Sequence, residues 1–380
     1  MNEELGSMPN RLRRVAPEVV REVRKALHTV RVTHGGERHG PLANSAAEPI
    51  VGVDTSTAAF VGAAVAGAPT GPVELTSFAD YEGVFGSAND ELGRAVKLFF
   101  ENDGTRAYAV RSQAALADGL QALERVPFAL LALPDASALA PDEALEVAGA
   151  AMQVCTRRQA FLLVDPPASL APTDVPSWTS NLESRDAAVY VPRLRLPDGS
   201  ETATSGAVAG VFARTDRNRG VWKAPAGSSA TFRGVADVTS SLSEQEVDGL
   251  TALRINVVRR LPTGLAAWGA QTLSVDPEWR YVNVRRLALF IERSIDEGTQ
   301  WVIFEPNGEP LWNEVRRRVE EFMLALFNQG AFEGTLPETA YLVRCDRTTM
   351  TQDDIDNGRV VIVVQFARGR PAEFVVVRVQ

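Results

Sequence analysis

FALLALPDASALAPDEALEVAGAAMQVCTRRQAFLLVDPP, residues Phe128 to Pro167, contains the repeating unit of the fold. Two short apolar runs, Phe128 to Leu133 and Ala160 to Asp165, flank a segment that starts at Pro141 and keeps helical spacing to about Cys155. Runs that are apolar at every position, rather than at alternate ones, suit strands covered on both faces, and a helix between them suits a parallel crossover. Working outward, Ala187 to Val191 (AAVYV) is a third such run. On the other side, Ala58 to Ala64, Pro72 to Thr76 and Arg106 to Arg111 read as strands. Between them, Ser77 can cap a turn bearing Phe78, Tyr81 and Phe85, and Asn89 can open a helix with Leu92, Val96, Phe99 and Phe100 on one side. The fold class expected is α/β, with layered mixed sheets and helices. Leu194 to Ser241 is rich in Gly, Ser, Thr and Arg and is expected to form long surface loops. Regular pattern returns with a helix Val282 to Glu297, a strand Trp301 to Glu305, a helix Pro310 to Asn328, and strands at Ala340 to Cys345, Val360 to Phe366 and Glu373 to Val379.

Composition removes several function classes. Among 380 residues, 39 Lys and Arg face 48 Asp and Glu, a net charge of −9 that opposes binding to nucleic acid through phosphates. All three histidines (His28, His34, His39) lie in the first forty residues, so the rest of the chain offers no Ser/His/Asp or Cys/His nucleophile and no His-bearing metal site. Only carboxylate, Lys or Tyr chemistry remains for an enzyme. Cys155 and Cys345 sit in apolar stretches as free thiols. No apolar run reaches the roughly 20 residues that cross a bilayer, and Met1 to Arg14 lacks the apolar centre of a signal peptide. Synthesis in the cytoplasm without membrane insertion is expected.

Three regions follow: 1–50, a basic arm and linker; 51–252, an α/β region; and 253–380, a C-terminal domain. The arm carries Arg11, Arg13, Arg14, Arg21, Arg24, Lys25 and Arg31, an amphipathic pattern from Pro17 to Leu27, the β-prone Thr29 to Thr33 (TVRVT) and the featureless linker Leu42 to Pro49.

Candidate sites are few. Gly62 to Gly67 has the glycine spacing of a phosphate loop, but Ala68-Pro69 stands where lysine and a hydroxyl belong. Asp135 and Asp165 follow apolar runs, at strand ends where α/β enzymes gather acids; strand-exit turns are the stronger reading. Asp353, Asp354, Asp356 and Gly358 have the wrong spacing for a calcium loop and read as a turn. Arg316, Arg317 and Arg318, then Glu320 and Glu321, make a charged face on the long helix, either solvated or set against a partner. In the terminal strand, Phe374, Val376 and Arg378 point one way and Val375, Val377 and Val379 the other, so both faces are apolar. Burying five such side chains is worth about 7–15 kcal/mol gross, which predicts pairing in the chain's own sheet or donation to a neighbour's.

These residues also resemble a family, the sheath proteins of contractile phage tails and related contractile injection systems. The resemblance runs from about Val51 to Gln380. It rests on GVDTSTAAFVG (Gly52 to Gly62), TSFADYEGVFG (Thr76 to Gly86), AVKLFFENDGTRAYAVR (Ala95 to Arg111) and GAVAGVFARTDRNRGVWKAPAG (Gly206 to Gly227). LRINVVRRLPTGLAAWGAQTLS (Leu253 to Ser274), DPEWRYVNVRRLALFIERSIDEGTQWVIFEPN (Asp276 to Asn307), PLWNEVRRRVEEFM (Pro310 to Met323) and the terminal RPAEFVVVRVQ continue it in the same order. The resemblance implies a structural subunit, with no catalysis and no cofactor, stacked in hexameric rings around an inner tube that contraction drives through a membrane. It implies baseplate and cap partners, release in a tail-like particle, and terminal arms that exchange strands, which favours donation of Phe374 to Val379. Arg316, Arg317, Glu320 and Glu321 would face the tube. A segment of the kind PGVYVEE, usual in the family ahead of TSTAAFVG, is absent here; Thr29 to Thr33 stands as its candidate replacement. That departure keeps open a minor cap, baseplate or adaptor role. A carboxylate enzyme using Asp135 and Asp165 is the remote alternative.

Overall fold

A computed structural model describes residues 27–34, 48–63, 71–87, 89–112 and 115–367. The chain packs as two units, Asp54–Leu287 and the pair Met1–Val53 with Ala288–Gln380.

The strands are β1 (Leu27–His34), β2 (Ala58–Gly62), β3 (Val73–Leu75), β4 (Ala107–Arg111), β5 (Leu130–Ala132), β6 (Phe161–Val164) and β7 (Ala187–Val191). They continue as β8 (Leu194–Arg195), β9 (Glu201–Thr202), β10 (Asp237–Val238), β11 (Asn256–Leu261), β12 (Gly264–Ala267), β13 (Tyr341–Arg344) and β14 (Val360–Ala367). The longer helices are α1 (Phe78–Phe85), α2 (Glu91–Glu101), α3 (Leu116–Ala122), α4 (Pro141–Arg158), α5 (Ser205–Arg219), α6 (Glu244–Ala252), α7 (Val282–Gly298) and α8 (Glu309–Asn328).

Asp54–Leu287 is built on an eight-stranded sheet ordered β12-β11-β7-β6-β5-β2-β4-β3. Its interior pairs are parallel, and β3 and β12 close the two edges antiparallel. Period-two alternation explains the continuous apolar runs. Val61, Leu131, Leu162 and Val189 share one core with α3, α4 and α6. Phe60 packs edge-on against Phe99 of α2 at 5.5 Å, and Phe161 and Tyr190 meet Phe212 of α5, each at 6.3 Å. The sheet is thus sandwiched between two helical layers, the α/β architecture expected. Leu253 falls inside this unit because β11 pairs with β7.

Capping follows local sequence. Ser77 and Asp80 form a capping box at α1. α2 starts one residue later than expected: Asp90, not Asn89, caps it by accepting from the Gly93 N–H at 2.7 Å. Two larger expectations fail. Leu194 to Ser241 is not a run of surface loops, since α5 within it is buried from Ser205 through Arg214. Its SGAVAGVFA sequence lacks a polar face because helix and sheet press on it from several sides. A Cβ on Gly206 would collide with the backbone of Ala95, and one on Gly210 would stand 2.5 Å from Asn102 Cβ and 2.6 Å from Phe99 O. The small residues let α5 lie directly on α2. The expected strand Trp301 to Glu305 is instead a 3₁₀ turn, Gln300–Phe304, with Val302 N–H bonded to Thr299 O and Glu305 N–H to Val302 O. It buries Trp301 and Val302 and exposes Ile303 and Phe304.

The other unit contains the sheet β1-β14-β13, all antiparallel, together with α8. Residues 1–26, with the Pro17 to Leu27 helical pattern up to its last residue, and most of the linker lie outside the described residues; Leu27 itself opens β1.

Replacing Gly206 by Val is expected to cost at least about 2–3 kcal/mol by wedging α5 off α2. Gly149→Ala, on α4 with nothing near its would-be Cβ, should gain about 0.5–1 kcal/mol. Urea titration of both variants checks the contrast; equal effects would refute the close-approach argument.

Candidate functional site

The terminal sheet is the first candidate. β14 reads VVIVVQFA, and Val360, Val361, Ile362, Val364 and Phe366 are buried. β1 lies along it in full register, from Leu27 opposite Ala367 to His34 opposite Val360. Its alternation is plain: His28, Val30, Val32 and His34 face inward, while Thr29, Arg31 and Thr33 are exposed. His34 anchors one end, with Nε2 2.5 Å from Thr299 Oγ1 and Nδ1 3.9 Å from Asp296 Oδ1, and His28 packs at a tilt against Phe366, ring centroids 5.4 Å apart. TVRVT is therefore a strand, seated here in the sheet of its own chain. β13 forms the opposite edge and is paired only to β14 among the described residues. Phe374, Val375, Val376, Val377, Arg378 and Val379 lie outside the described residues.

The second candidate is α8. It buries Leu311, Trp312, Val315, Val319, Phe322, Met323 and Leu326, and leaves Arg317, Glu320 and Glu321 exposed with Arg316 half-buried. Arg317 donates to Glu314 at 2.7 Å and Glu321 at 2.5 Å, and Arg316 to Asn313 at 2.7 Å. The Arg317 bond, together with one from Arg318 Nε to Glu314 Oε1 at 2.7 Å, holds the Glu314 carboxyl down to about 2. Arg318, next in the run, is different: it turns inward, stacks over Trp301 at 4.9 Å and donates to Glu48 O at 3.0 Å. Three adjacent arginines look alike in sequence, and only helical phase separates the structural one from the surface pair.

The strand-end acids complete the set. Asp165, 4% exposed, ends β6 and accepts from the Ser205 N–H at 3.1 Å, so it caps the first turn of α5. Asp135 lies just past β5, in the 3₁₀ turn Pro134–Ala138, and its Oδ2 occupies the space a side chain on Gly62 would need. Burial pushes Asp135 up to about 7, helped by Asp90 and Glu91 and opposed by the Ala63 N–H and Arg94; burial likewise raises Asp165 to about 6. Asp165 is held by the Ser205 N–H and Asp135 by the Ala63 N–H, bonds that cross the fold. Gly62 ends β2 as a strand-to-turn junction, and the rest of GAAVAG lies outside the described residues except Ala63. Asp353 and Asp354 bind Arg359 around the short helix Gln352–Asp356, the polar turn expected. Among the described residues no group of acids, cysteines or histidines could hold a metal ion, and no helix is long and apolar enough to cross a membrane.

Sequence reasoning passed over Arg285 and Arg286. Arg285 donates to Asp186 at 2.5 Å, and Arg286 bonds Asp216 at 2.6 and 3.0 Å and Thr55 O at 2.8 Å. A double arginine within an otherwise apolar helical stretch was the available signal.

Residues 109–273 match the phage tail sheath protein central domain, and residues 274–380 match the phage tail sheath C-terminal domain. The chain belongs to the phage tail sheath family, and it is a structural protein of contractile sheaths, not an enzyme. The putative prophage major tail sheath protein of Pseudomonas aeruginosa strain UCBPP-PA14 is 25% identical over 347 residues, covering 82% of this chain and 86% of that protein. The helical sheath of the anti-feeding prophage in its contracted state aligns at 32% identity and a TM-score of 0.75, over 90% of this chain and 98% of that one. A chain in the six-fold symmetrised baseplate of the same particle aligns at 30% identity and a TM-score of 0.75, over 91% and 99%.

The acids set a pH dependence. Their folded values lie above the unfolded 3.8, so the stability they lend is complete below pH 3.8 and is lost as pH rises through about 6 and 7. Asp135→Asn should therefore raise stability at pH 8 by about 1–3 kcal/mol and leave it nearly unchanged at pH 4. Urea unfolding at both pH values checks this, and an equal effect at each would contradict it.

Proposed function

We propose that this chain polymerises as stacked rings of six subunits around an inner tube, and that contraction of the array drives the tube through a target membrane. The observation that carries the reading is the end-to-end likeness to the contracted helical sheath, which spans nearly all of both chains. The physical features agree. A heterologous contact that does not close on itself builds a helix, and strand exchange keeps subunits tethered while rigid bodies repack. The C-terminal domain, about Leu253 to Gln380, packs near the tube, and the 51–252 region faces outward. Phe374 to Val379 is the donated strand. Its supports are the apolar character of both its faces and the position of β13 at the edge of its sheet. Arg316, Arg317, Glu320 and Glu321 form the tube-facing rail, a row of charges, exposed except for half-buried Arg316, whose recognition would weaken with salt. Baseplate and cap proteins bound the array, in a tail-like particle assembled in the cytoplasm and released from it.

A second reading, a minor sheath paralogue at the baseplate end, is favoured by the equal likeness to a chain of the baseplate and by the missing PGVYVEE-like segment.

Particles pelleted from producing cells should show striated tubes by negative stain, with this chain a major band by mass spectrometry. A few copies per particle would move the chain to the second reading. Deleting Glu373 to Gln380 should leave a folded subunit, by circular dichroism, that no longer forms tubes; normal tubes from the truncated chain would remove the donated strand from the proposal.

A further inference from the structure

We infer that His34 and Asp296 form a pH-responsive clasp on β1, one that seats the strand more firmly as pH falls through the neutral range. His34 is the last residue of β1 and lies opposite Val360 at the start of β14. It is 5% exposed, and Asp296, near the end of α7, and Thr299, just past it, stand beside it. All three belong to the smaller unit, so the inference holds whether or not subunits polymerise.

The hydrogen bonds of Thr299 decide which imidazole nitrogen titrates. Thr299 Oγ1 is 2.5 Å from Ile295 O, a carbonyl that can only accept, so the single hydroxyl proton points there. The same oxygen, 2.5 Å from His34 Nε2, therefore accepts, and Nε2 carries a hydrogen. In the neutral ring that leaves Nδ1 to take the second proton. Nδ1 is the nitrogen on the side of Asp296, 3.9 Å from Oδ1 of a side chain 17% exposed. Protonation thus sets a cation against a carboxylate without breaking the bond to Thr299.

The surroundings do not oppose that charge. On β14 the residues that share the inward face at this end are Val360 and Ile362. The 3₁₀ turn Gln300–Phe304 has no ionisable group. On α7, Arg293 pairs with Glu297 at 3.9 Å, and Glu292, one turn before Asp296, adds negative charge to the same helical face. Arg359, which precedes β14, is held by Asp353 and Asp354, and Arg31 lies on the exposed face of β1. A partner that holds the proton more tightly in the folded state lends stability that is complete below the unfolded imidazole value of about 6.5, and that stability is lost as pH rises through the higher folded value.

The test is hydrogen–deuterium exchange of the full-length chain at about pH 6 and about pH 8.5, either side of the imidazole range, corrected for the chemical exchange rate. His34→Gln keeps a donor for Thr299 but cannot titrate, and Asp296→Asn removes the carboxylate charge. The protection of Leu27–His34 in the wild type, divided by that in either variant, should be about threefold or more larger at the lower pH, while β6 in the larger unit responds alike in all three proteins. His28, the other imidazole of β1, packs against Phe366 at the far end and is present throughout, so its titration cancels. An equal ratio at both pH values, whether large or close to one, would assign His34 a purely structural role and overturn the inference. If the variants fail to fold, long-range proton–nitrogen spectra of the wild-type imidazole decide it: the Nε2–H tautomer at the higher pH supports the clasp, and the Nδ1–H tautomer overturns it.

Discussion

Two adjacent buried arginines hold the larger unit in register. Arg285 and Arg286 sit on neighbouring positions of α7, yet helical phase sends them to different partners: Asp186, at the entry to β7, and Asp216, near the end of α5. Asp216 also accepts from Thr55 Oγ1 at 2.7 Å, while Arg286 reaches Thr55 O, so the segment leading into β2 is tied to the same point. Phe212 and Trp279 stack on the guanidinium groups at 4.8 and 5.3 Å. All four charged side chains are 6% exposed or less. Such pairs add little net energy, but a partner lost in such a place strands a charge in low dielectric, at a cost of about 3–5 kcal/mol. The two pairs together tie strand entry, helix end and leader to one helix, since each guanidinium is bonded to a different one of these segments or to two of them.

That constraint also clarifies what was legible in the sequence. Strands covered on both faces announce themselves as unbroken apolar runs, and β2, β5, β6 and β7 stand within the stretches expected. α5 did not, because its burial is built from Gly206, Ala207, Ala209 and Gly210, and small residues score as loop by composition while packing as core. QWVIF was misread for the opposite reason. It has strand composition, but it follows α7 so closely that its N–H groups find carbonyls three residues back before any sheet edge is within reach. The double arginine in an apolar stretch was a signal, but its partners were not legible. RR in isolation reads as surface, and only the fold brings Asp186 and Asp216 to it.

Strand-end acids mark catalytic sites in many α/β folds, and this chain has two on neighbouring strands. Here the same positions serve the scaffold. Asp165 is committed to the first turn of α5, and Asp135 fills the space that glycine leaves at the end of β2. The scaffold retains the geometry in which acids gather, and the bonding of those acids shows why position alone assigns no activity.

Apolar surface is distributed unevenly between the two units. Of the large hydrophobic side chains exposed among the described residues, Val51, Ile303, Phe304, Leu324 and Leu336 belong to the smaller unit, and Val84, Leu253 and Val275 to the larger. Phe304 is 67% exposed on a turn that already buries its neighbours Trp301 and Val302, so local folding had the means to hide it and did not. A monomer gains nothing from such placement, whereas a subunit that polymerises as proposed above would need apolar contacts that its own core does not consume. The same unit holds the sheet in which β13 forms an edge and the charged face of α8. Under the assembly proposed above this amounts to a division of labour: the large unit is closed by its ion pairs and two helical layers, and the small unit would offer its exposed apolar and charged groups to neighbours.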